Sequence, residues 1–307
     1  MRLRAELLAA LVALLSTGCG DEVPRGGIPR VAAGAIAVDR RVEPTHLLPA
    51  DLDLVVRVDL ARLRAGLGPT SLEAVAARLP GDALLRQVLA RADAVTIGLR
   101  ADDLEAGDRV VVVEGTLADG VPSPDATRFA PASVVLPAVR VWDATAGGAL
   151  GREQVARIMR VDDRALVFVT ALEVDPTTRV LRDGPDQLRG QPFAEGLVSL
   201  DWRPRPLRTS LAQRYPSIAS VLRGIVRVRA TAAMGEAAVE LRAEIEASDE
   251  AAAIKAGKFL ELLRDNAGDG AGAVLGTASI ERAGATLHLT VDVPAEVVLR
   301  AVADPPG

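Results

Sequence analysis

One cysteine, two histidines and two lysines stand in a chain of 307 residues. With Cys19 alone, an intrachain disulfide is impossible. Cys19, His46 and His288 together are too few for a zinc site of four Cys/His ligands within one chain. Aromatics are scarce as well: Phe129, Phe168, Phe193, Phe259, Trp142, Trp202 and Tyr215 are the whole set. Single-strand binding modules stack bases on ring faces, so seven scattered rings read as packing. No basic stripe is present to displace counterions from phosphate, and the net charge is −5. Nucleic acid is therefore not an expected partner. No apolar run reaches the roughly 18 residues of a spanning helix, which argues against a polytopic membrane protein.

What is present is ordinary for a globular protein: 49% apolar and 25% charged residues. A disordered chain lacks the apolar surface to offset its ordering entropy, and this chain has it. The length admits one large domain or two smaller ones. Stability must come from apolar burial, with no disulfide or four-ligand zinc staple to help.

The first residues read as an address. Arg2 and Arg4 form a positive segment, and Leu7 to Leu15 is an apolar run of secretory length, too short to span a bilayer comfortably. Ser16-Thr17-Gly18-Cys19 follows. This resembles the lipobox of bacterial lipoproteins over residues 1–20. The place three before the cysteine, usually Leu in that family, is Ser16 here, with Leu15 one earlier. The resemblance implies a signal peptide at 1–18, cleavage between Gly18 and Cys19, and diacylglycerol on the Cys19 thiol. Small residues at Ser16 and Gly18 equally suit an ordinary signal peptidase cutting the same bond. Two or three acyl chains would anchor the chain stably, where one binds reversibly. Residues 19–49 then form the lipidated cysteine and a flexible tether, with Pro24, Gly26, Gly27, Pro29, Gly34, Pro44 and Pro49.

The remainder divides into two expected α+β units, 50–190 and 191–307, each a mainly antiparallel sheet with helices packed on one face. In the first, strands are expected at Leu52–Leu60, Ala94–Arg100, Arg109–Leu117, Ala138–Trp142 and Arg164–Leu172. Val110–Val113 is apolar without alternation, as a central strand would be. Thr70-Ser71-Leu72-Glu73 is a capping box for one helix, Asp82–Ala92 forms another, and Arg152–Met159 is read as a short third. Asp175-Pro176 opens a helix that Gly184 closes. In the second, strands are expected at Leu197–Trp202, Val226–Ala233, Ala237–Glu246, Ser279–Arg282 and Thr286–Val293. Helices are expected at Pro216–Leu222, at Asp249–Arg264 and from Pro294 to Val302. The segments Ala165–Arg182 and Thr286–Arg300 share a strand, a Pro and a closing Val-Leu-Arg, which points to duplication. The layout resembles uncharacterised duplicated envelope proteins of bacteria.

One register follows from Gly235-Glu236 as a two-residue hairpin turn. Met234 would face Ala237, with Val226–Ile245, Val228–Ala243 and Ala230–Leu241 on the buried face. Arg227–Glu244 and Thr231–Glu240 would lie on the wet face, beside a repulsive Arg229–Arg242 pair.

Motifs for chemistry are sparse. His288 falls on the polar side of its strand with Thr286, Thr290 and Asp292, and no Gly-x-Ser-x-Gly elbow exists to give it a nucleophile. His46 sits in the tether. Asp265, Asp269 and Gly270 match the first, fifth and sixth places of a calcium loop, but Ala267 and Gly276 occupy the third and twelfth. Asp102, Asp103, Glu105 and Asp108 make an acidic loop. Arg203-Pro204-Arg205-Pro206-Leu207-Arg208 is the one basic cluster, stiffened by proline. No catalytic, cofactor or metal residue is assigned. The expected protein is a lipid-anchored envelope protein, facing the periplasm or exterior, that scaffolds or binds an envelope partner. The alternatives are a lipid or small-ligand binding module and a hydrolase built on carboxylates.

Overall fold

In a computed structural model, the described residues are 47–67, 83–89, 91–100, 108–115, 123–134, 136, 139–145, 154–184, 196–207, 209–235, 238–266 and 276–294. Gly18, Cys19, His46 and the expected capping-box helix at Thr70–Leu79 lie outside them, as does the expected C-terminal helix beyond Pro294. In chain order the elements are β1 (Leu54–Asp59), α1 (Leu60–Leu67), α2 (Ala83–Leu89), β2 (Ala94–Leu99), β3 (Arg109–Glu114), β4 (Phe129–Pro131), β5 (Val139–Ala144), β6 (Val155–Val161), β7 (Ala165–Thr170) and α3 (Val174–Asp183). They continue with β8 (Val198–Trp202), α4 (Thr209–Arg214), α5 (Pro216–Leu222), β9 (Ile225–Met234), β10 (Ala238–Ala247), α6 (Glu250–Asp265), β11 (Ser279–Ala283) and β12 (Thr286–Pro294). The fold is mixed α/β, dominated by antiparallel sheet with a few helices, and it forms two compact units.

In one unit the strand order is β2-β3-β7-β6-β5-β4, every pairing antiparallel. Val110 to Val113 are all buried, and so is every residue of β7. The unalternating β3 is central, between β2 and β7, as its pattern predicts. The expected helix at Arg152–Met159 is instead strand β6. A bulge between Val155 and Arg157 interrupts its period of two, which hides the strand from pattern reading. Helix α3 begins two residues earlier than Asp175 as its cap would set it, because a 3-10 turn at Ala171–Glu173 runs straight into it. Its N-cap is Glu173, which makes no capping bond. Gly184 does close it, with φ of 87° and its N–H donating to the Val180 carbonyl at 2.9 Å.

The end of the expected tether belongs to this unit. Leu47 and Leu48 are 0% and 3% exposed, and Leu52 is 1% exposed. Proline and glycine elsewhere in residues 19–49 mask an apolar pair that packs like any other core pair.

In the other unit the order is β11-β12-β10-β9-β8-β1, again antiparallel throughout. Strand β1 opens the globular sequence yet pairs with β8, from Leu54 opposite Trp202 to Val58 opposite Val198. A half-buried alternating strand fits any sheet of its kind, so its pattern names no partner. Helix α6 lies one residue on from its expected span, and Asp249 caps it, accepting from the Ala252 N–H at 2.8 Å. Ala253 and Ala256 of α6 pack with Ile225, Ala247 and Leu287, and Val221 of α5 packs against the same cluster. Pro294 is the last residue of β12, and the helix expected from it to Val302 otherwise lies outside the described residues.

The β9–β10 hairpin differs from expectation by two residues. Met234 faces Val239, and the Gly235 N–H donates to the Ala238 carbonyl at 2.8 Å. An even shift keeps every side chain on its face. The apolar pairs become Val228–Ile245, Ala230–Ala243 and Ala232–Leu241, and Arg229 comes opposite Glu244 in place of Arg242. The observed register replaces a repulsive pair with an attractive one.

Candidate functional site

The assigned residues Gly18 and Cys19 lie outside the described residues. What the fold does assemble is a row of polar side chains across strands of the unit that holds β8 to β12. Opposed residues of an antiparallel pair share a face. Asp201 of β8 faces Arg229 of β9, Arg229 faces Glu244 of β10, Glu244 faces His288 of β12, and His288 faces Glu281 of β11. Arg229 donates through Nη2 to Glu244 Oε1 at 2.7 Å and to Glu246 Oε1 at 2.6 Å. Arg227 Nε donates to Asp201 Oδ1 at 2.7 Å. That bond raises the Arg227 pKa above its ordinary value, against the opposing effect of burial. Arg242 forks onto Glu240 with two bonds of 2.8 Å. Each acid in the middle of the row has its arginine, and the chemistry left to it is charge recognition at the outer edge.

Two buried networks stand in the other unit. Arg157, 5% exposed, donates to both Asp143 oxygens at 2.5 and 3.0 Å and to Thr178 Oγ1 at 2.7 Å. Glu173, 0% exposed, accepts from Arg100 Nε at 2.5 Å and Nη2 at 3.2 Å. Arg100 Nη2 also reaches Asp51 at 2.7 Å. The Glu173 bond chiefly raises the Arg100 pKa. No local pattern announces either network, since each joins residues distant in sequence. Only the bulge at Arg157 marks a side chain aimed out of the regular alternation.

The remaining candidates are scattered. His288 is exposed on the polar face, as expected. Asp265 is the last residue of α6 and pairs with Arg264 at 3.0 Å; residues 267–275, the body of the calcium-like loop, lie outside the described residues. Of the acidic loop only Asp108 is described, and it is buried. In the basic connection the Arg203 N–H donates to the Asp53 carbonyl at 2.8 Å. Among the described residues no three His, Cys, Asp or Glu side chains converge to hold a metal ion, and no helix is long and apolar enough to cross a membrane. Lys255 Nζ donates to Ser220 Oγ at 2.5 Å, a pairing used elsewhere for nucleophile and base. Ser220 sits near the carbonyl end of α5, and Lys255 also bonds its carbonyl at 3.2 Å. With both bonds made to the last turn of α5, the lysine acts as a cap on that helix end.

These features define a mixed α/β protein of antiparallel sheet whose described polar clusters are ion pairs. No protein-family model matches the sequence, and no curated protein matches it. Among solved structures, crystal form I of TP0453, a treponemal envelope lipoprotein, is similar in fold, with a TM-score of 0.52, 10% identity, and coverage of 85% of this chain and 97% of that one. Crystal form III of TP0453 gives the same TM-score and identity over 85% and 98%. At this identity the likeness is one of fold.

Proposed function

We propose that the chain is a bacterial envelope lipoprotein, tethered by acyl chains on Cys19, that serves as a non-enzymatic scaffold or partner-binding protein. The observation that carries this reading is the place of the only cysteine, after a nine-residue apolar run and the three residues Ser16, Thr17 and Gly18. The fold shared with an envelope lipoprotein supports it. So do the ion pairs of Arg100 with Glu173, Arg157 with Asp143 and Arg229 with Glu244, in which these charges hold one another. Mass spectrometry of the mature N-terminus tests it. Wild type should carry diacylglyceryl mass on Cys19 and sediment with membranes, and Cys19→Ser should lose both. A bare thiol, or a leader still attached in native material, overturns the proposal.

A second reading is favoured by one specific feature of β8. Its polar residues Ser199 and Asp201 are buried, while Val198, Leu200 and Trp202 are only half-buried. Half-exposed apolar groups on a sheet face suit a lipid or another apolar ligand. In a Trp142→Phe background, Trp202 emission should shift to the blue on adding a long-chain fatty acid. An unchanged spectrum up to saturation rejects this reading.

A further inference from the structure

We infer that β11 is the edge to which an extended, basic segment of a partner protein adds as a further strand. This rests on the partner-binding reading above and gives that partner a chemistry.

Among the described residues strand β11 ends the ladder of its unit, paired through β12 alone. Its residues are exposed apart from Ile280, and it contains neither proline nor a bulge, two common ways of blunting an edge. The hairpin fixes which backbone groups face outward. Ala283 faces Thr286 across the two-residue turn Gly284-Ala285, and Gly284 supplies the positive φ of 61°. In such a hairpin the closing pair exchanges its hydrogen bonds, and so does every second pair beyond it. Ala283, Glu281 and Ser279 therefore bond to β12. Ile280 and Arg282 turn their N–H and C=O groups to the open side.

Charge decides what kind of strand fits. Toward the middle of the sheet Asp201, Glu240, Glu244 and Glu246 each hold an arginine. At the edge, Glu281 of β11 and Asp292 of β12 have no ionic partner among the described residues, and both are exposed. The cation of β11 does not serve them. Arg282 lies on the opposite face, held by Glu250 at 2.5 Å. Asp292 lies opposite Glu240, whose charge Arg242 already meets, so the uncompensated negative charge of this face is that of Asp292 and Glu281. An added strand with Arg or Lys at alternate positions would set a cation beside Glu281 and leave its backbone to Ile280 and Arg282. Main-chain bonds would supply affinity and the alternate cations selectivity.

The test uses the full chain and two synthetic probes, a strand-forming peptide of alternating Arg and Thr and its Glu-for-Arg counterpart. Amide exchange is followed at Ile280 and Arg282 by NMR. The Arg peptide should slow exchange at both amides at least tenfold, the Glu peptide should not, and Glu281→Arg should reverse the preference. Equal effects of the two peptides, or protection elsewhere only, overturns the inference. If Glu281→Arg proves unfolded by circular dichroism, Glu281→Gln replaces it, and it must lessen the preference for the Arg peptide. Acylation of Cys19 is read separately, so a lipidated chain that shows no protection at β11 loses this inference and keeps the tether.

Discussion

Arg100 meets a carboxylate that has no water: Glu173 is 0% exposed, and Arg100 Nε lies 2.5 Å from its Oε1. Removing one partner of a buried pair strands the other charge, at a cost of about 3–5 kcal/mol. Arg100→Met should therefore destabilise the chain by about 3 kcal/mol, the low end, because Arg100 itself is partly exposed. Adding Glu173→Gln should recover more than half of that loss, since the stranded charge is gone. Urea unfolding of the two variants checks it. A double variant no more stable than Arg100→Met would show that the pair acts through shape and not charge.

The β9–β10 register makes a second expectation. Arg229 bonds both Glu244 and Glu246, and the three side chains are each a little over a third exposed. Exposed pairs contribute about 0.2–1 kcal/mol, and like charges placed opposite cost a similar amount. Arg229→Glu should lower stability by about 1 kcal/mol. Glu244→Arg added to it should restore most of that, whereas Arg242→Glu should not. The opposite ranking in thermal unfolding would favour the register in which Arg229 faces Arg242.

That hairpin also shows what was legible in the sequence. Alternation fixes parity, so the wet and buried faces of β9 and β10 were readable, while the partner of each residue depends on which residues take the turn. The unalternating run at Val110–Val113 placed β3 in the middle of a sheet because both faces are covered. Strand β6 was lost to its bulge. Helix α1 is hidden because the alternation of β1 runs on to Leu60 and Gly66 stands in the last turn, although Asp59 caps it, accepting from the Arg62 N–H at 2.8 Å. At the candidate sites, His288 was readable as exposed because its strand alternates. The row from Asp201 to Glu281 was not, because it draws on five strands whose order no local pattern encodes.

Acid should act late on the turn that leads into β4. Asp125 Oδ1 accepts from the Thr127 N–H at 2.9 Å and from its Oγ1–H at 2.7 Å. These bonds, the hydroxyl first, hold the Asp125 carboxyl below its ordinary range. A carboxylate depressed on folding adds stability above its unfolded pKa and loses it as pH falls through the folded one. The turn is expected to hold through neutral pH and to loosen only below the ordinary aspartate range. An NMR titration of the Asp125 side-chain carbon should give a midpoint below that of an unstructured peptide, and Thr127→Val should raise it. A midpoint unmoved by Thr127→Val would refute the assignment.

Gly98 tests whether the segment before β1 is seated in the core. A Cβ there would come 2.5 Å from Leu52 Cδ1 and 3.3 Å from Leu48 Cδ2. Overpacking of this kind costs about 1–3 kcal/mol. Replacing a glycine recovers about 0.4–1 kcal/mol through the unfolded chain. Gly98→Ala should thus destabilise by about 1 kcal/mol net. Leu52→Ala opens a cavity and should cost about 2–4 kcal/mol. Together the two should cost clearly less than their sum, because the new methyl occupies part of the space that Leu52 vacates. Strict additivity in urea unfolding would mean that Leu52 does not rest on Gly98.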